Sequence, residues 1–192
     1  MIKNLILQNQ DTLAQKSASI CNKIMSSPQF QNSQEIFAYM ALPDEVDLSP
    51  VIYEALKQGK KVAVPKIINQ QRAEIQFFYL NKSQNFGSQT QSGTFGIAEP
   101  DPSQLEAAEF SGNTTLILVP GRAFTKEGDR LGRGKGYYDK YLGDRLLRCA
   151  RNDEGVSAHN DVVVAGVCFD FQIKKSLPVD DRDIKMDMIF YK

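Results

Sequence analysis

The sequence predicts an α/β fold, in which a single domain holds an open, mostly parallel sheet flanked by helices, a Rossmann-like three-layer arrangement. Apolar runs alternate with helical segments along the chain, and most runs are unbroken by polar residues. Unbroken runs are typical of strands covered on both faces, and strand, helix, strand order favours parallel crossover connections. The length of 192 residues with 42% hydrophobic content is in the usual range for one domain, residues 1–192.

Six apolar runs are the predicted strands of this sheet. They cover residues 36–42, 62–64, 75–80, 115–119, 162–169 and 188–191. The segment 81–92 is rich in Gln, Asn and Ser, and we expect it to be a long exposed connection rather than a domain linker.

Three helices are predicted between these strands. The first has one face formed by Leu13, Ser17, Ile20, Cys21 and Ile24. The second is expected to begin with Ser49 as its N-cap and Pro50 in its first position, and to stop near Gly59. The third is expected to begin within 136–139 and to continue to about Ala150.

The balance of charge limits the partners of the chain. Its 23 Lys and Arg residues equal its 23 Asp and Glu residues, so no global positive field attracts nucleic acid. No window approaches the roughly 18 apolar residues of a spanning helix, and the first apolar run is too short for a signal peptide. We therefore expect a cytoplasmic monomer with small-molecule partners, no nucleic acid and no membrane.

Cysteine and histidine usage disfavours several chemistries. The three cysteines, Cys21, Cys149 and Cys168, are widely spaced and contain no CxxC pair, so we expect reduced packing residues. The single histidine, His159, lies in a polar run typical of a solvated loop. A histidine base and a His-ligated zinc are both disfavoured.

The strongest functional signal is the segment 119–142, VPGRAFTKEGDRLGRGKGYYDKYL. Four glycines are expected to free its backbone for positive φ and close approach to a ligand: Gly128, Gly132, Gly134 and Gly136. Arg130, Arg133 and Lys135 add fixed positive charge. Because ligands of such sheets bind beyond the carboxyl ends of the strands, this segment predicts a local anion site, most simply for phosphate.

General motifs leave an alternative open for this segment. The sequence GKG replaces the GK[ST] of a Walker A loop, and the spacing does not fit GxGxxG. The alternative is a mobile surface loop with solvated charges. Tyr137 and Tyr138, which offer flat faces and hydroxyls, weigh against it, as does Asp139, which offers the hard oxygen ligand preferred by Mg²⁺.

Taken whole, the segment 120–142 resembles the signature of the 5-formyltetrahydrofolate cyclo-ligase family, also called 5,10-methenyltetrahydrofolate synthetases. Five further segments resemble family motifs in the same order: MALPDEVD at 40–47, GKKVAVP at 59–65, GIAEP at 96–100, FDFQ at 169–172 and PVDDRD at 178–183. Roughly 160 residues are covered, which a single short motif would not achieve by chance. Arg182 stands where the family usually has His.

The resemblance implies an activity: ATP- and Mg²⁺-dependent cyclisation of 5-formyltetrahydrofolate to 5,10-methenyltetrahydrofolate, with release of ADP and phosphate. It implies that the ATP site comprises Lys3 from the N-terminal region together with Arg130, Leu131, Gly132, Arg133, Gly134, Lys135, Gly136, Tyr137 and Tyr138. The implied folate site comprises Met40, Glu45, Arg133, Gly134, Lys135, Gly136 and Tyr137.

The same resemblance implies roles in the reaction itself. The residues it places at the chemistry are Arg130, Arg133, Lys135 and Tyr137, and those it places at the metal are Asp139 and Asp183. Two other functions stay open. One is a non-catalytic module that binds folate or a phosphate ligand, and the other is a sugar-phosphate isomerase of similar sheet topology.

Overall fold

The structure, a computed structural model, describes residues 10–84, 86–93, 96–109, 114–150, 162–178, 180 and 183–192. Lys3, His159 and Arg182 lie outside the described residues, and so does the side chain of Cys149. The sequence-based interpretations of these four residues therefore stay predictions.

Among the described residues, four α-helices surround the sheet, and three of them lie close to the predicted positions. They are α1 (Gln10–Met25), α2 (Pro28–Asn32), α3 (Ser49–Lys57) and α4 (Tyr137–Ala150). Helix α2 was not predicted. The predicted face of α1 is confirmed, since Ser17, Ile20, Cys21 and Ile24 are buried and Leu13 packs against the same core.

The start of α3 differs from the prediction by one residue. Leu48 occupies the N-cap position without a side-chain cap, and Ser49 is the first helical residue. The reason is Asp47, whose Oδ1 accepts hydrogen bonds from Ser49 N at 2.9 Å and Ser49 Oγ at 2.7 Å. At the other end, Gly59 follows the helix with φ +78°, as predicted.

The central sheet is six-stranded and mostly parallel, which confirms the predicted fold class. Its strands are β1 (Glu35–Phe37), β2 (Lys61–Asn69), β3 (Glu74–Tyr79), β6 (Thr115–Pro120), β9 (Val162–Cys168) and β11 (Met188–Tyr191). Their order across the sheet is β11-β9-β6-β1-β2-β3, and only β3 runs antiparallel to its neighbour. The carboxyl ends of the five parallel strands therefore share one edge of the sheet.

Two predicted strands have different lengths in the structure. Strand β1 ends at Phe37 rather than at residue 42, because the chain turns: Tyr39 Oη donates to Val46 O at 2.9 Å, and Leu42 N donates to Glu45 Oε2 at 3.0 Å. Strand β2 is longer than predicted, because its pairing with β3 continues as far as Asn69.

Shorter strands form two additional small sheets. They are β4 (Thr90–Ser92) with β5 (Ala98–Pro100), and β7 (Ala123–Thr125) with β8 (Arg130–Leu131) and β10 (Ile173–Lys174). Two 3₁₀ turns, Phe86–Gln89 and Asp170–Gln172, complete the described elements.

The prediction of an exposed connection over 81–92 is wrong in part. Gln89 is fully buried and Phe86 nearly so. The Gln89 side chain accepts from Asn81 N at 2.5 Å and donates to Asn81 O at 2.8 Å. The polar composition of this segment suggested exposure to solvent, but a glutamine whose amide forms hydrogen bonds with backbone groups can be buried.

The two faces of the central sheet carry two apolar clusters, one containing α1 and α3 residues and the other containing α4 residues. Cys21 and Cys168 are buried within them and are free thiols, as predicted. Burial raises the pKa of each thiol to about 12. Within the described residues, no helix combines the length and the apolar character needed to cross a membrane.

Candidate active site

A cavity of about 1480 Å³ opens at the carboxyl edge of the central sheet. Residues after β1 and β6, strand β2 and the first turns of α4 contribute to its walls. Every described residue that the sequence placed in a site lines it: Met40, Glu45, Arg130, Leu131, Gly132, Arg133, Gly134, Lys135, Gly136, Tyr137, Tyr138, Asp139 and Asp183. The structure thus brings these residues together, while their individual roles stay predictions.

The glycine-rich loop connects β8 to α4 and forms one wall of the cavity. Gly134 and Gly136 adopt φ of +81° and +68°, a region that L side chains rarely occupy. Gly132 does not, contrary to the expectation from sequence. A Cβ on Gly132 would lie 2.9 Å from Arg130 Nη1, so a larger residue there would displace that guanidinium.

Arg130 lies beneath this loop and is 7% exposed. Its Nη2 donates to Asp139 Oδ1 at 2.6 Å, and its guanidinium lies 5.9 Å from the ring centre of Tyr138. Arg130 Nε and the Tyr137 hydroxyl are buried and have no hydrogen-bond partner among the described residues. A buried, paired arginine disagrees with the alternative of a mobile loop with solvated charges.

Arg133 reaches across the cavity to the turn after β1. It donates from Nε to Glu45 Oε1 at 3.2 Å and from Nη2 to Asp44 Oδ1. Burial raises the pKa of Glu45, and the Leu42 N–H and the Arg133 guanidinium partly oppose that rise. The pairs join the loop assigned to phosphate with the turn assigned to folate.

Lys135 differs from the other two predicted cations in its pairing. It is exposed at the cavity wall, and its side chain has no ion-pair partner among the residues that the structure describes. Among the described residues, the three predicted cations therefore differ: Arg130 is buried and paired, Arg133 is partly exposed and paired, and Lys135 is exposed and unpaired.

Two carboxylates at the cavity can each offer one oxygen to a cation. Both hydrogen bonds to the Asp139 side chain go to Oδ1, from Arg130 Nη2 and from Ile184 N at 3.4 Å, so Oδ2 is left over. Asp183 Oδ2 accepts from Asp180 N at 2.8 Å, which leaves Oδ1. The described residues contain no group of three or more metal-ligating side chains. Mg²⁺ usually takes only one or two carboxylates, with water and substrate phosphates, so the pair fits that ion.

Several residues that line the cavity or pair with its lining were given no role from the sequence. Asp44 is adjacent to Glu45 and could have been inferred from that position. Glu99, which is 5% exposed, pairs with Lys66 Nζ at 3.2 Å and belongs to the GIAEP segment, whose residues were given no role. Arg122 also lines the cavity, and its signals were its place two residues after β6 and within the segment 119–142.

The fold and the cavity define a Rossmann-like α/β protein whose ligand site lies at the carboxyl edge of a parallel sheet, with a glycine-rich cationic loop as one wall. The chain matches the 5-formyltetrahydrofolate cyclo-ligase family over residues 2–192 and belongs to that family.

Individual relatives agree with the family match. A mouse (Mus musculus) 5-formyltetrahydrofolate cyclo-ligase is 32% identical over 178 residues, covering 92% of this chain and 82% of the relative. A probable 5-formyltetrahydrofolate cyclo-ligase of Schizosaccharomyces pombe is also 32% identical, with 91% and 82% covered.

A solved structure agrees as well. The NMR structure of Aquifex aeolicus 5,10-methenyltetrahydrofolate synthetase superposes with a TM-score of 0.71 at 28% identity, covering 99% of this chain and 87% of the other. The family inferred from sequence motifs is therefore confirmed, as is its enzyme class, a ligase of folate one-carbon metabolism.

Proposed function

We propose that this protein cyclises 5-formyltetrahydrofolate to 5,10-methenyltetrahydrofolate in the cavity at the sheet edge, with ATP as co-substrate and Mg²⁺ as cofactor. The observation that carries the proposal is the convergence of residues far apart in sequence on one cavity, in a chain of this family. ADP and phosphate are the other products.

The chemistry explains why a phosphate site and a folate site must adjoin. The formamide oxygen on N5 is a poor leaving group, so we propose that it first attacks the γ-phosphorus, and the bond from that phosphorus to the ADP oxygen breaks. N10 then attacks the formyl carbon, loses its proton, and phosphate leaves with the former formyl oxygen. Both steps depend mainly on positioning and on neutralising phosphoryl charge.

We assign the nucleotide to the loop 130–138 and the start of α4. Arg130, Arg133 and Lys135 can neutralise charge on the transferred phosphoryl group, and the positive-φ glycines let backbone N–H groups face it. Helix α4 begins at Tyr137, so its unpaired N-terminal N–H groups add favourable potential for an anion.

We assign the folate to the other side of the cavity. Met40 and the half-buried turn bearing Glu45 lie there, and apolar side chains such as Ile67 and Ile75 supply a wall for a flat ring. The Arg133 pairs with Asp44 and Glu45 support adjoining subsites, because one side chain spans the distance from the loop to the turn. Folate binding would compete for these pairs.

Asp139 and Asp183 are the residues that would hold Mg²⁺, each through its remaining oxygen. When bound, the ion would neutralise phosphate oxygens. Around it, Arg130 fixes the orientation of the Asp139 carboxylate, and the backbone N–H of Asp180 holds one oxygen of Asp183.

The direct test is an absorbance assay. Purified protein with ATP, Mg²⁺ and 5-formyltetrahydrofolate should generate the near-ultraviolet absorbance of the methenyl product, with ADP formed in equal amount. Omission of ATP is the control. No ATP-dependent absorbance at any reasonable enzyme concentration would overturn the proposal, and calorimetric folate binding without ADP release would favour a non-catalytic module. The family match gives no support to a sugar-phosphate isomerase.

We also propose that the chain acts in the cytoplasm as a single-domain monomer. Light scattering on the purified protein, at the mass of 21.5 kDa per chain, tests the oligomeric state. Cell fractionation tests the compartment.

A further inference from the structure

The cavity is lined by five cationic side chains: Arg122, Arg130, Arg133, Lys135 and Lys140. Three of them are neutralised by carboxylates: Arg130 by Asp139 at 2.6 Å, Arg133 by Asp44 and Glu45, and Lys140 by Glu74 at 2.9 Å. In the part of the chain that the structure describes, Arg122 and Lys135 are the cavity cations whose side chains have no ion-pair partner.

The acidic residues that line the cavity make these two unpaired cations important for binding an anion. Five acidic residues line the cavity: Glu45, Glu99, Asp139, Asp180 and Asp183. Because they match the described lining cations in number, the described part of the cavity wall has no net positive formal charge. A polyanion must therefore bind either to unpaired cations or to paired cations that release their carboxylate. Release costs the free energy of the broken ion pair.

The Arg122 side chain forms no ion pair with the described residues, whereas hydrogen bonds hold its backbone. Its N–H donates to Leu131 O at 2.8 Å. The amide of Gln172, which is 7% exposed, donates to Gly121 O at 2.8 Å and to Arg122 O at 3.3 Å. Two elements thus clamp the peptide groups on both sides of this residue, and less positional freedom is lost when its guanidinium binds a ligand.

The position of Arg122 indicates which ligand it serves. In the antiparallel pair of β7 and β8, Ala123 lies opposite Leu131, so Arg122 adjoins the point where the chain enters Gly132 and the glycine-rich loop. The folate turn, by contrast, follows β1. Arg122 and Lys135 therefore stand near the two ends of the loop assigned to phosphate.

We propose that Arg122 is a phosphate-binding residue of the nucleotide subsite, contacting the triphosphate from the β6–β7 side. The inference rests on the proposed function, and it adds a residue that the family motifs did not place in the site. A guanidinium can bind two phosphate oxygens at once, and Arg122 needs to break no ion pair to do so.

The experiment compares Arg122→Gln and Arg122→Lys with the matched control Arg72→Gln, which removes an exposed arginine that does not line the cavity. Calorimetry with inorganic tripolyphosphate measures binding without turnover. We expect Arg122→Gln to weaken it about five- to tenfold, Arg122→Lys to weaken it less, and the control to bind like the wild type. In turnover, the ATP KM of Arg122→Gln should rise by a similar factor, with the folate KM within about twofold.

The outcomes separate this inference from the proposed function. Equal tripolyphosphate binding by wild type and Arg122→Gln, or no binding by the wild type, overturns the role of Arg122. A rise in the folate KM alone would assign the guanidinium to a substrate carboxylate and overturn it as well. Loss of tripolyphosphate binding in Arg122→Gln, with no ATP-dependent turnover in the wild type, would uphold the phosphate role and reject the proposed reaction.

Discussion

The two edges of the central sheet both hold acidic side chains, but in opposite environments. At the amino edge, Glu35 is fully buried. Its carboxylate accepts hydrogen bonds from Tyr79 Oη at 3.2 Å and Thr115 Oγ1 at 3.3 Å, with Lys61 Nζ at 3.6 Å. These partners come from three strands and seal the carboxylate inside the protein.

At the carboxyl edge, Glu45 lines the open cavity and pairs with Arg133, whose side chain is 38% exposed. A ligand can reach this pair and replace either partner, whereas Glu35 does not line this cavity. Burial among donors from three strands makes Glu35 a structural element, whereas pairing at a cavity wall leaves Glu45 available for binding.

The largest effect is expected from Arg133→Ala at the open edge. If Arg133 contacts the transferred phosphoryl group, kcat/KM should fall by about 10²–10³. The free energy of unfolding should change by about 1 kcal/mol or less, because this ion pair is partly exposed. Steady-state kinetics and urea unfolding measure the two quantities. Arg133→Lys, which keeps the charge, should recover part of the rate, and unaltered kinetics in the alanine variant would contradict the phosphate role.

At the amino edge, Glu35→Ala is expected to lower stability and to leave the reaction rate unchanged. Loss of the carboxylate removes its hydrogen bonds with Tyr79 and Thr115 and its ion pair with Lys61 from a fully buried position, so the protein should be destabilised by about 2–4 kcal/mol. The rate per folded molecule should be retained. Glu35→Gln keeps an acceptor oxygen and should cost less. An activity loss in Glu35→Ala without loss of stability would break the distinction between the edges.

A smaller effect is expected from the titration of Glu45. Burial raises its pKa above the ordinary value of 4.5, so the folded protein binds this proton more tightly than the unfolded chain does. Wild-type stability should therefore fall as pH rises from about 4.5 through the raised pKa. Glu45→Gln lacks this titration, so its unfolding free energy relative to the wild type should rise across that pH window. The rise should be about 1.4 kcal/mol for each pH unit that separates the folded from the unfolded pKa.

Urea unfolding at a series of pH values measures this difference. Glu127→Gln, which removes an exposed carboxylate outside the cavity, is the control for general charge effects. If the unfolding free energy of Glu45→Gln relative to the wild type stays flat or falls with pH, the Arg133 and Leu42 contacts outweigh the effect of burial on the Glu45 pKa.

The smallest effect is expected at Cys168, which ends β9 at the carboxyl edge but does not line the cavity. It is 1% exposed and its pKa is raised to about 12 by burial, so iodoacetamide should leave it unmodified at pH 8 in the native protein. Cys21, on α1, should behave alike. Mass spectrometry with and without urea measures modification at each site, and rapid native labelling of Cys168 would show that this edge opens beyond the cavity.

The sequence alone was enough for the fold class, for four of the six central strands to within one residue, and for many of the residues that line the cavity. Its unbroken apolar runs reflect burial on both faces of a parallel sheet, which is a local property of each strand. The glycine-rich segment and its motifs were likewise local. Where local composition misled, as at Gln89, a side chain had found backbone partners that no pattern records.

Only the tertiary structure determined which cationic side chains of the described residues form ion pairs. Arg130, Arg133, Lys135 and Arg122 are all basic residues of one segment, yet among the described residues the first two are paired and the last two are not. Arg133 meets Glu45 across 88 positions of sequence. Whether a charge is neutralised depends on distances of a few ångströms and on local solvent exposure, and long-range packing sets both.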